Sequence, residues 1–138
     1  MIEIRELGPD DAELARVVVD RFKTSGHSLA TMQEWLTTDR HLMLVALDGR
    51  TPVGWVYGYR LPRVDVAISM WLLYEIDVAE SHQRRGLGSA LTGAFLEFTE
   101  GPVWLVTNRS NVAAMTLYRK MGGTAPQDDD VVFQLRAE

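Results

Sequence analysis

The chain has 138 residues, of which 46% are hydrophobic and 24% are charged, and its formal net charge is −5. These proportions are typical of folded proteins and exclude a disordered tail, a collagen-like repeat and a coiled-coil rod. The absence of cysteine excludes a disulfide framework, a zinc–thiolate site and a cysteine nucleophile.

The first third of the chain predicts one strand followed by two helices. Apolar and charged residues alternate over residues 2–5, which indicates a short strand. Pro9 and the two acids after it are typical of a helix start, and Gly26 is expected to end that helix. Ser28 is then the expected N-cap of a second helix over residues 29–36.

A hairpin and a long strand are predicted next. Apolar runs over residues 42–47 and 53–59 flank Asp48-Gly49, a strong turn signal. The longest strand is expected over residues 69–78, with side chains alternating between its two faces. On this alternation one face carries Met70, Leu72, Tyr74, Ile76 and Val78, and the other carries Trp71, Leu73, Glu75 and Asp77.

After the long strand the apolar residues change to a helical period. They recur at intervals of three and four from Leu87 to Phe98, which indicates an amphipathic helix. The remaining predicted elements are a strand over residues 103–107, a helix from about Ser110 to Met121, and a strand over residues 131–135. This order predicts an α/β fold in which a mixed sheet is flanked by helices on both faces.

The turn between the long strand and the long helix has the features of a phosphate-binding site. Gly86 and Gly88 lack a Cβ and precede a helix N-terminus, where N–H groups point outward. Arg84 and Arg85 add positive charge. The alternative is a packing turn with solvated arginines. A dinucleotide fingerprint would need a third glycine where Leu91 stands, and a P-loop would need Gly-Lys-Ser/Thr.

Two motifs in this order resemble the GNAT superfamily of N-acyltransferases. Gln83-Arg84-Arg85-Gly86-Leu87-Gly88 is similar to its acetyl-CoA signature, Gln/Arg-x-x-Gly-x-Gly/Ala. The second motif follows a predicted strand and consists of Asn108, Asn111, Ala114, Leu117-Tyr118 and Met121-Gly122. The resemblance implies a GNAT fold, one catalytic domain over residues 1–138, and acetyl-CoA as co-substrate.

The resemblance also implies where acetyl-CoA would bind. Backbone amides of the glycine turn would hold the pyrophosphate, and the pantetheine arm would lie like an added strand between two splayed strands. The residues implied are Ile76, Asp77, Val78, Gln83, Arg84, Arg85, Gly86, Leu87, Gly88, Ser89, Thr107, Asn108, Asn111 and Tyr118.

Two residues are the candidates for acid–base catalysis of a direct acetyl transfer to an amine. Glu75 is a carboxylate on an otherwise apolar strand, where burial is costly without a purpose or a partner, and it is the expected general base. The alternatives are an ion pair with Arg60, Arg63 or another basic residue, or the same role for Asp77. The resemblance implies that Tyr118 is the general acid, although a packed core tyrosine would give the same pattern.

A more specific resemblance concerns the acceptor. The run Tyr59-Arg60-Leu61-Pro62-Arg63 followed by Tyr74-Glu75 is similar to the small aminoglycoside 3-N-acetyltransferases. It implies a polycationic acceptor held by Tyr74, Glu75 and the acidic run Asp128, Asp129 and Asp130, which otherwise indicates a solvated turn. Tryptophans that could line a sugar pocket are Trp35, Trp55 and Trp71.

Other functions and properties remain open or are excluded at this point. The acceptor could instead be a peptide N-terminus, a polyamine or another small amine, and the chain could be a non-catalytic acyl-CoA-binding module. The acidic balance disfavours nucleic acid and suits a small cationic partner, although solubility alone would also account for it. No signal-peptide or membrane-span pattern is present, so we expect a cytoplasmic protein. The three histidines lack metal-ligand spacing, and the edge strand over residues 131–135 could support a homodimer.

Overall fold

The computed structural model describes residues 1–24, 26–125 and 131–136, and these are organised around a five-stranded sheet with the strand order β1-β2-β3-β4-β5. The strands are β1 (Ile2–Glu6), β2 (His41–Asp48), β3 (Thr51–Leu61), β4 (Met70–Val78) and β5 (Val103–Trp104). The helices are α1 (Ala12–Phe22), α2 (Leu29–Thr37), α3 (Leu87–Phe98) and α4 (Val112–Lys120). The first four strands pair antiparallel and β5 is parallel to β4, which confirms the predicted mixed sheet.

Local signals in the sequence explain where several elements begin. The Thr31 N–H donates to Ser28 Oγ over 3.1 Å, so Ser28 caps α2 as predicted. Gly49 has a φ of 63° in the turn between β2 and β3, a conformation that glycine adopts at little cost. The start of α2 and the turn between β2 and β3 are therefore each determined by the conformational or capping preference of one residue.

The sheet has a hydrophobic core on each face, because its side chains alternate. On one face Leu42, Leu44 and Ala46 of β2 pack in one cluster with Leu91 and Phe95 of α3. On the other face Met43, Val45 and Leu47 share a cluster with residues of α1 and α2. Helices therefore cover both faces of the sheet, as the sequence predicts.

A β-bulge in β4 corrects the predicted alternation of that strand. Tyr57 of β3 is opposite Glu75, but Gly58 is opposite Leu73, so Tyr74 is an extra residue on β4. An extra residue reverses the side to which the following side chains point. Trp71 and Leu73 consequently share the α3 core with residues 76 and 78 rather than a face with Glu75.

Two predicted strands differ from the structure. The strand expected over residues 103–107 is limited to β5, because β4 and the chain after Trp104 diverge and leave no ladder partner. Residues 131–136 form no strand and are exposed, although their apolar run predicted one. A short apolar run becomes a strand only where a neighbour completes the ladder. No helix in the described ranges has the length and apolarity to cross a membrane.

Candidate active site

The divergence of the sheet after β5 opens a cavity of about 190 Å³, which we call the strand cavity. β4 and β5 pair only through Trp71–Val103 and Leu72–Trp104. Beyond these pairs the gap is lined by residues 73–76 of β4, residues 105–107, and Asn111, Ala114 and Tyr118. Backbone groups released from the ladder are thus available to an extended ligand, as in recognition by β-augmentation.

Helix α4 supplies two of the predicted site residues to the strand cavity. Asn111 is the N-cap of this helix, and its Oδ1 accepts from the Ala114 N–H over 3.1 Å. Burial raises the pKa of the Tyr118 phenol, and Asp77 adds a smaller electrostatic effect in the same direction. The Tyr118 hydroxyl therefore stays protonated at neutral pH and can donate a proton or a hydrogen bond.

A second cavity, of about 330 Å³, lies on the α1 and α2 side of the sheet, and we call it the aromatic cavity. It is lined by Val19, Lys23, His27, Met32, Trp35, Met43, Trp55, Tyr57, Tyr59, Tyr74 and Glu75. Five of these residues are tryptophan or tyrosine, and neighbouring rings lie 4.7–6.1 Å apart. Such walls suit an apolar or cationic ligand.

Glu75 lines both cavities, and both of its carboxylate oxygens are engaged. The Tyr57 hydroxyl donates to Oε1 over 2.9 Å, and Lys23 Nζ lies 2.5 Å from Oε2. The expected basic partner is therefore Lys23. Arg60 and Arg63 pair with other carboxylates, those of Asp39 and Asp65. The pKa of Lys23 is raised by its hydrogen bond to Glu75.

Asp77, placed two residues after Glu75, points to the same side of the sheet. The Trp55 Nε1–H donates to Asp77 Oδ2 over 2.9 Å. Burial raises the pKa of the Asp77 carboxyl, and the hydrogen bond from Trp55 opposes that shift. Burial also raises the pKa of Tyr57, with a further contribution from Glu75. The bulge thus delivers two carboxylates and their aromatic donors to one side of β4.

The glycine turn before α3, predicted to bind an anion, has an open backbone. Gly86 has a φ of 78° and a Cβ at this position would meet no atom within 4 Å, so the backbone is open to a ligand. Arg84 also has a positive φ of 64°, which is uncommon outside glycine and often accompanies a functional turn. The first backbone N–H groups of α3 have no intrahelical carbonyl to bond. Leu87 is buried in the α3 core, so only its backbone can serve a ligand.

Side chains on either side of the glycine turn fasten it to the sheet. Gln83 Nε2 donates to the Val78 carbonyl over 2.9 Å at the end of β4. Ser81 Oγ lies 2.7 Å from His82 Nδ1, and His82 Nε2 lies 2.8 Å from Asp48 Oδ2. The ring nitrogens are reversed relative to a hydrolase triad, in which Nε2 faces the serine. This cluster therefore connects the turn to the β2–β3 hairpin.

The remaining predicted site residues are distributed as follows. Trp35 and Trp55 line the aromatic cavity, whereas Trp71 packs against Phe95 in the α3 core. Thr107 lines the strand cavity, and the Asn108 carbonyl accepts from the Asn111 N–H. Asp128, Asp129 and Asp130 lie outside the described residues. Within the described ranges no group of three or more His, Asp or Glu side chains could hold a metal ion.

Sequence reasoning missed Lys23, Tyr57 and Tyr59 as cavity residues. Every second residue of β3 from Trp55 to Tyr59 is aromatic. Because alternate residues of a strand share a face, this spacing could have predicted one aromatic face. No sequence signal pairs Lys23 with Glu75, because that contact depends on how α1 packs on the sheet.

The sequence model described as the Acetyltransferase (GNAT) family matches residues 13–123. That range includes both cavities and the glycine turn, and the chain belongs to this family. A search of curated proteins found no match.

Solved structures of acetyltransferases share the fold. An aminoglycoside acetyltransferase, HMB0005, from an uncultured soil metagenomic sample superposes with a TM-score of 0.87 at 19% identity, covering 100% of this chain and 99% of that one. Another from such a sample, meta-AAC0020, solved in complex with sisomicin, has a TM-score of 0.82 at 21% identity, covering 99% and 97%. Aminoglycoside N-acetyltransferase AAC(6′)-Iy in complex with CoA has a TM-score of 0.77 at 18% identity, covering 99% and 95%.

Acetyl-CoA is the co-substrate, and the described residues fit its chemistry. The open backbone at Gly86 and the start of α3 suit the pyrophosphate, and Arg84 and Arg85 add charge. The strand cavity offers ladder groups for an extended amide-containing arm, with Tyr118 on its wall.

Proposed function

We propose that this protein acetylates an amino group of an aminoglycoside antibiotic. The observation that carries the proposal is the position of Glu75, which lines both the strand cavity and the aromatic cavity. An acyl donor in the first and an amine in the second would meet at one carboxylate. Aminoglycoside acetyltransferases among the structural neighbours add support for this acceptor class.

The aromatic cavity suits an amine on a sugar ring. Trp35, Tyr57 and Tyr59 offer flat apolar faces against which a ring can pack, and an ammonium near such faces is attracted to their π electrons. Glu75 and Asp77 lie at the sheet wall and provide the negative charge that a cationic acceptor requires.

Acid–base roles follow from these positions. Acetyl-CoA supplies an activated acetyl group as a thioester. Glu75 takes a proton from the acceptor ammonium, directly or through water, so that the neutral amine can attack the carbonyl carbon. Tyr118 donates its phenolic proton to the departing sulfur, since burial keeps that proton in place. The resulting phenolate takes the second proton of the attacking nitrogen as the amide forms, and Glu75 releases its proton to water. Holding both reactants beside β4 supplies the proximity that a direct transfer needs.

The proposal extends to the 3-amino group of the aminoglycoside. Its support is the similarity of Tyr59-Arg60-Leu61-Pro62-Arg63 and Tyr74-Glu75 to the 3-N enzymes. The neighbour AAC(6′)-Iy is named for another position, so the modified nitrogen has to be identified on the product.

Mass spectrometry of acetyl-CoA reactions tests the proposal. The panel contains sisomicin and other aminoglycosides, spermidine, and short peptides with a free N-terminus. We expect one added acetyl group on aminoglycosides only, and NMR of the product then identifies the nitrogen. Acetylation of peptides or spermidine alone would overturn the acceptor class, and modification at another nitrogen would overturn the 3-N assignment.

A pair of variants separates catalysis from binding. Glu75→Gln keeps the shape and the hydrogen-bond acceptor but loses the base, and we expect kcat to fall by about 10²-fold or more. The glycine-turn variant Gly86→Val occupies the open backbone and should weaken acetyl-CoA binding instead. Acetyl-CoA binding without any turnover across the panel would favour the acyl-CoA-binding alternative.

A further inference from the structure

The carboxylate proposed to receive the acceptor amine already holds an ammonium group. Lys23 Nζ contacts Glu75 Oε2 at 2.5 Å, while the Tyr57 hydroxyl occupies Oε1. Lys23 and Glu75 both line the aromatic cavity. An acceptor ammonium that approaches Glu75 therefore meets a carboxylate with both oxygens engaged.

We infer that Lys23 is a tethered substitute for the acceptor ammonium, and that a cationic acceptor binds by displacing Lys23 from Glu75. The inference rests on the proposed function, since it concerns the same acceptor site. The inference assigns Lys23 a role in selecting cationic acceptors over neutral ones. A neutral molecule that separated Lys23 from Glu75 could not form a new ion pair with Glu75.

The environment of Lys23 makes this exchange feasible. Its side chain is 50% exposed, compared with 20% for Glu75, so water already solvates part of the ammonium. Exposed ion pairs of this kind change an equilibrium constant by about fivefold at most. Lys23 directly follows α1 and is its C-cap, so the released ammonium stays near the negative end of the helix dipole. Both the cost of breaking the pair and the cost of relocating the charge are therefore small.

The cavity walls favour the incoming ammonium over Lys23. Trp35, Tyr57, Tyr59 and Tyr74 surround the space beside Glu75. An ammonium carried on a ligand that fills the cavity gains contacts with these ring faces and buries apolar surface. Lys23 is tethered to α1 and remains half exposed, so it gains less from the same walls.

A lysine spectrum observes the exchange directly. The chain has two lysines, Lys23 and Lys120, so protein labelled with ¹³C at lysine Cε gives two signals. Lys120 ends α4 and belongs to neither cavity lining, which makes it an internal reference. Sisomicin added without acetyl-CoA is expected to shift the Lys23 signal and leave the Lys120 signal in place. An unmoved Lys23 signal at sisomicin saturation overturns the inference.

Substitution gives an independent measure. Lys23→Met keeps a long stem without the charge, and we expect the KM for sisomicin to fall about two- to fivefold with the KM for acetyl-CoA unchanged. Lys120→Met makes the same change in net charge away from the cavities and is the matched control. A KM for sisomicin that rises or stays constant in Lys23→Met would contradict displacement.

Failure of the proposed function would be distinguishable from failure of this inference. If no aminoglycoside is acetylated, ethylammonium chloride replaces sisomicin in the lysine spectrum, because its binding requires no turnover. Movement of the Lys23 signal alone would then support displacement with a different acceptor. Equal movement of both lysine signals, or none, would reject displacement.

Discussion

At the scale of the residue, removal of the Tyr118 hydroxyl group tests its proposed role as general acid. Burial raises the pKa of its phenol, so the variant Tyr118→Phe removes a proton that is present at neutral pH. We expect kcat to fall about 10²-fold, in line with loss of a general acid, while the dissociation constant of acetyl-CoA changes little. Stopped-flow or steady-state kinetics and a binding titration measure the two quantities. A variant that lost turnover and acetyl-CoA affinity to the same extent would show that Tyr118 positions acetyl-CoA rather than acting as the acid.

Asp77 predicts a pH dependence of stability. Burial raises the pKa of its carboxyl above the ordinary value of 3.8, so the folded protein binds this proton more tightly than the unfolded chain. The stabilising contribution of Asp77 to the free energy of unfolding is fully present at pH values below its ordinary pKa. This contribution is lost as the pH rises through the pKa of Asp77 in the folded protein. Asp77→Asn removes this titration and retains an oxygen that can accept from Trp55.

Urea unfolding near pH 4 and near pH 7 measures the effect of Asp77→Asn. Relative to the unmodified protein, the variant is expected to gain free energy of unfolding as the pH rises between these values. A difference between the two proteins that stays constant with pH would show that Asp77 titrates alike in the folded and unfolded states.

At the scale of the element, the bulge in β4 depends on the absence of a side chain at Gly58. A Cβ there would overlap the Leu72 carbonyl oxygen and meet Phe95 Cζ at 2.8 Å. Gly58→Ala therefore forces backbone movement, and we expect a loss of about 1–3 kcal/mol in the free energy of unfolding. Activity should fall as well, because Glu75 follows the bulge.

A glycine in α3 provides the comparison for Gly58→Ala. The Cβ of Gly93→Ala would meet Met121 Cε at 3.8 Å, an ordinary contact. Since alanine also favours the helix, we expect no loss and a gain of up to about 1 kcal/mol. Urea denaturation of both variants measures the difference. Equal stability of the two would mean that the sheet accommodates a side chain at the bulge.

Local and non-local features of the elements differ in how far the sequence predicts them. The cap at Ser28, the turn at Asp48-Gly49 and the helical period of α3 depend on near neighbours, and each was predicted. The alternation of side chains along β4 does not predict the bulge at Tyr74, because the bulge depends on how β4 pairs with β3. The contact of Lys23 with Glu75 joins α1 to β4 and was missed for the same reason. The turn at Gly86 before α3 could be predicted because its residues are contiguous in the sequence, whereas its role in binding acetyl-CoA stays a prediction.

At the scale of the whole molecule, charge and shape act on different steps of acceptor binding. The net charge of −5 acts over a Debye length of about 8–10 Å at ordinary salt and favours the approach of cations. The aromatic cavity and Glu75 act only on contact. In the proposed exchange Lys23 affects both steps. Its positive charge weakens the long-range attraction of cations to the aromatic cavity, and it leaves Glu75 only when a positively charged ligand takes its place.

This separation predicts how salt changes the kinetics. Between about 0.02 M and about 0.3 M NaCl we expect kcat/KM for sisomicin to fall several-fold, because screening removes the long-range attraction. The decrease should be steeper for aminoglycosides with more ammonium groups, whereas kcat at saturating acceptor should hardly change. Steady-state kinetics over the panel measures both quantities. A decrease that is the same for every acceptor, whatever its charge, would assign the salt effect to acetyl-CoA binding, for which Arg84 and Arg85 are the proposed cationic residues.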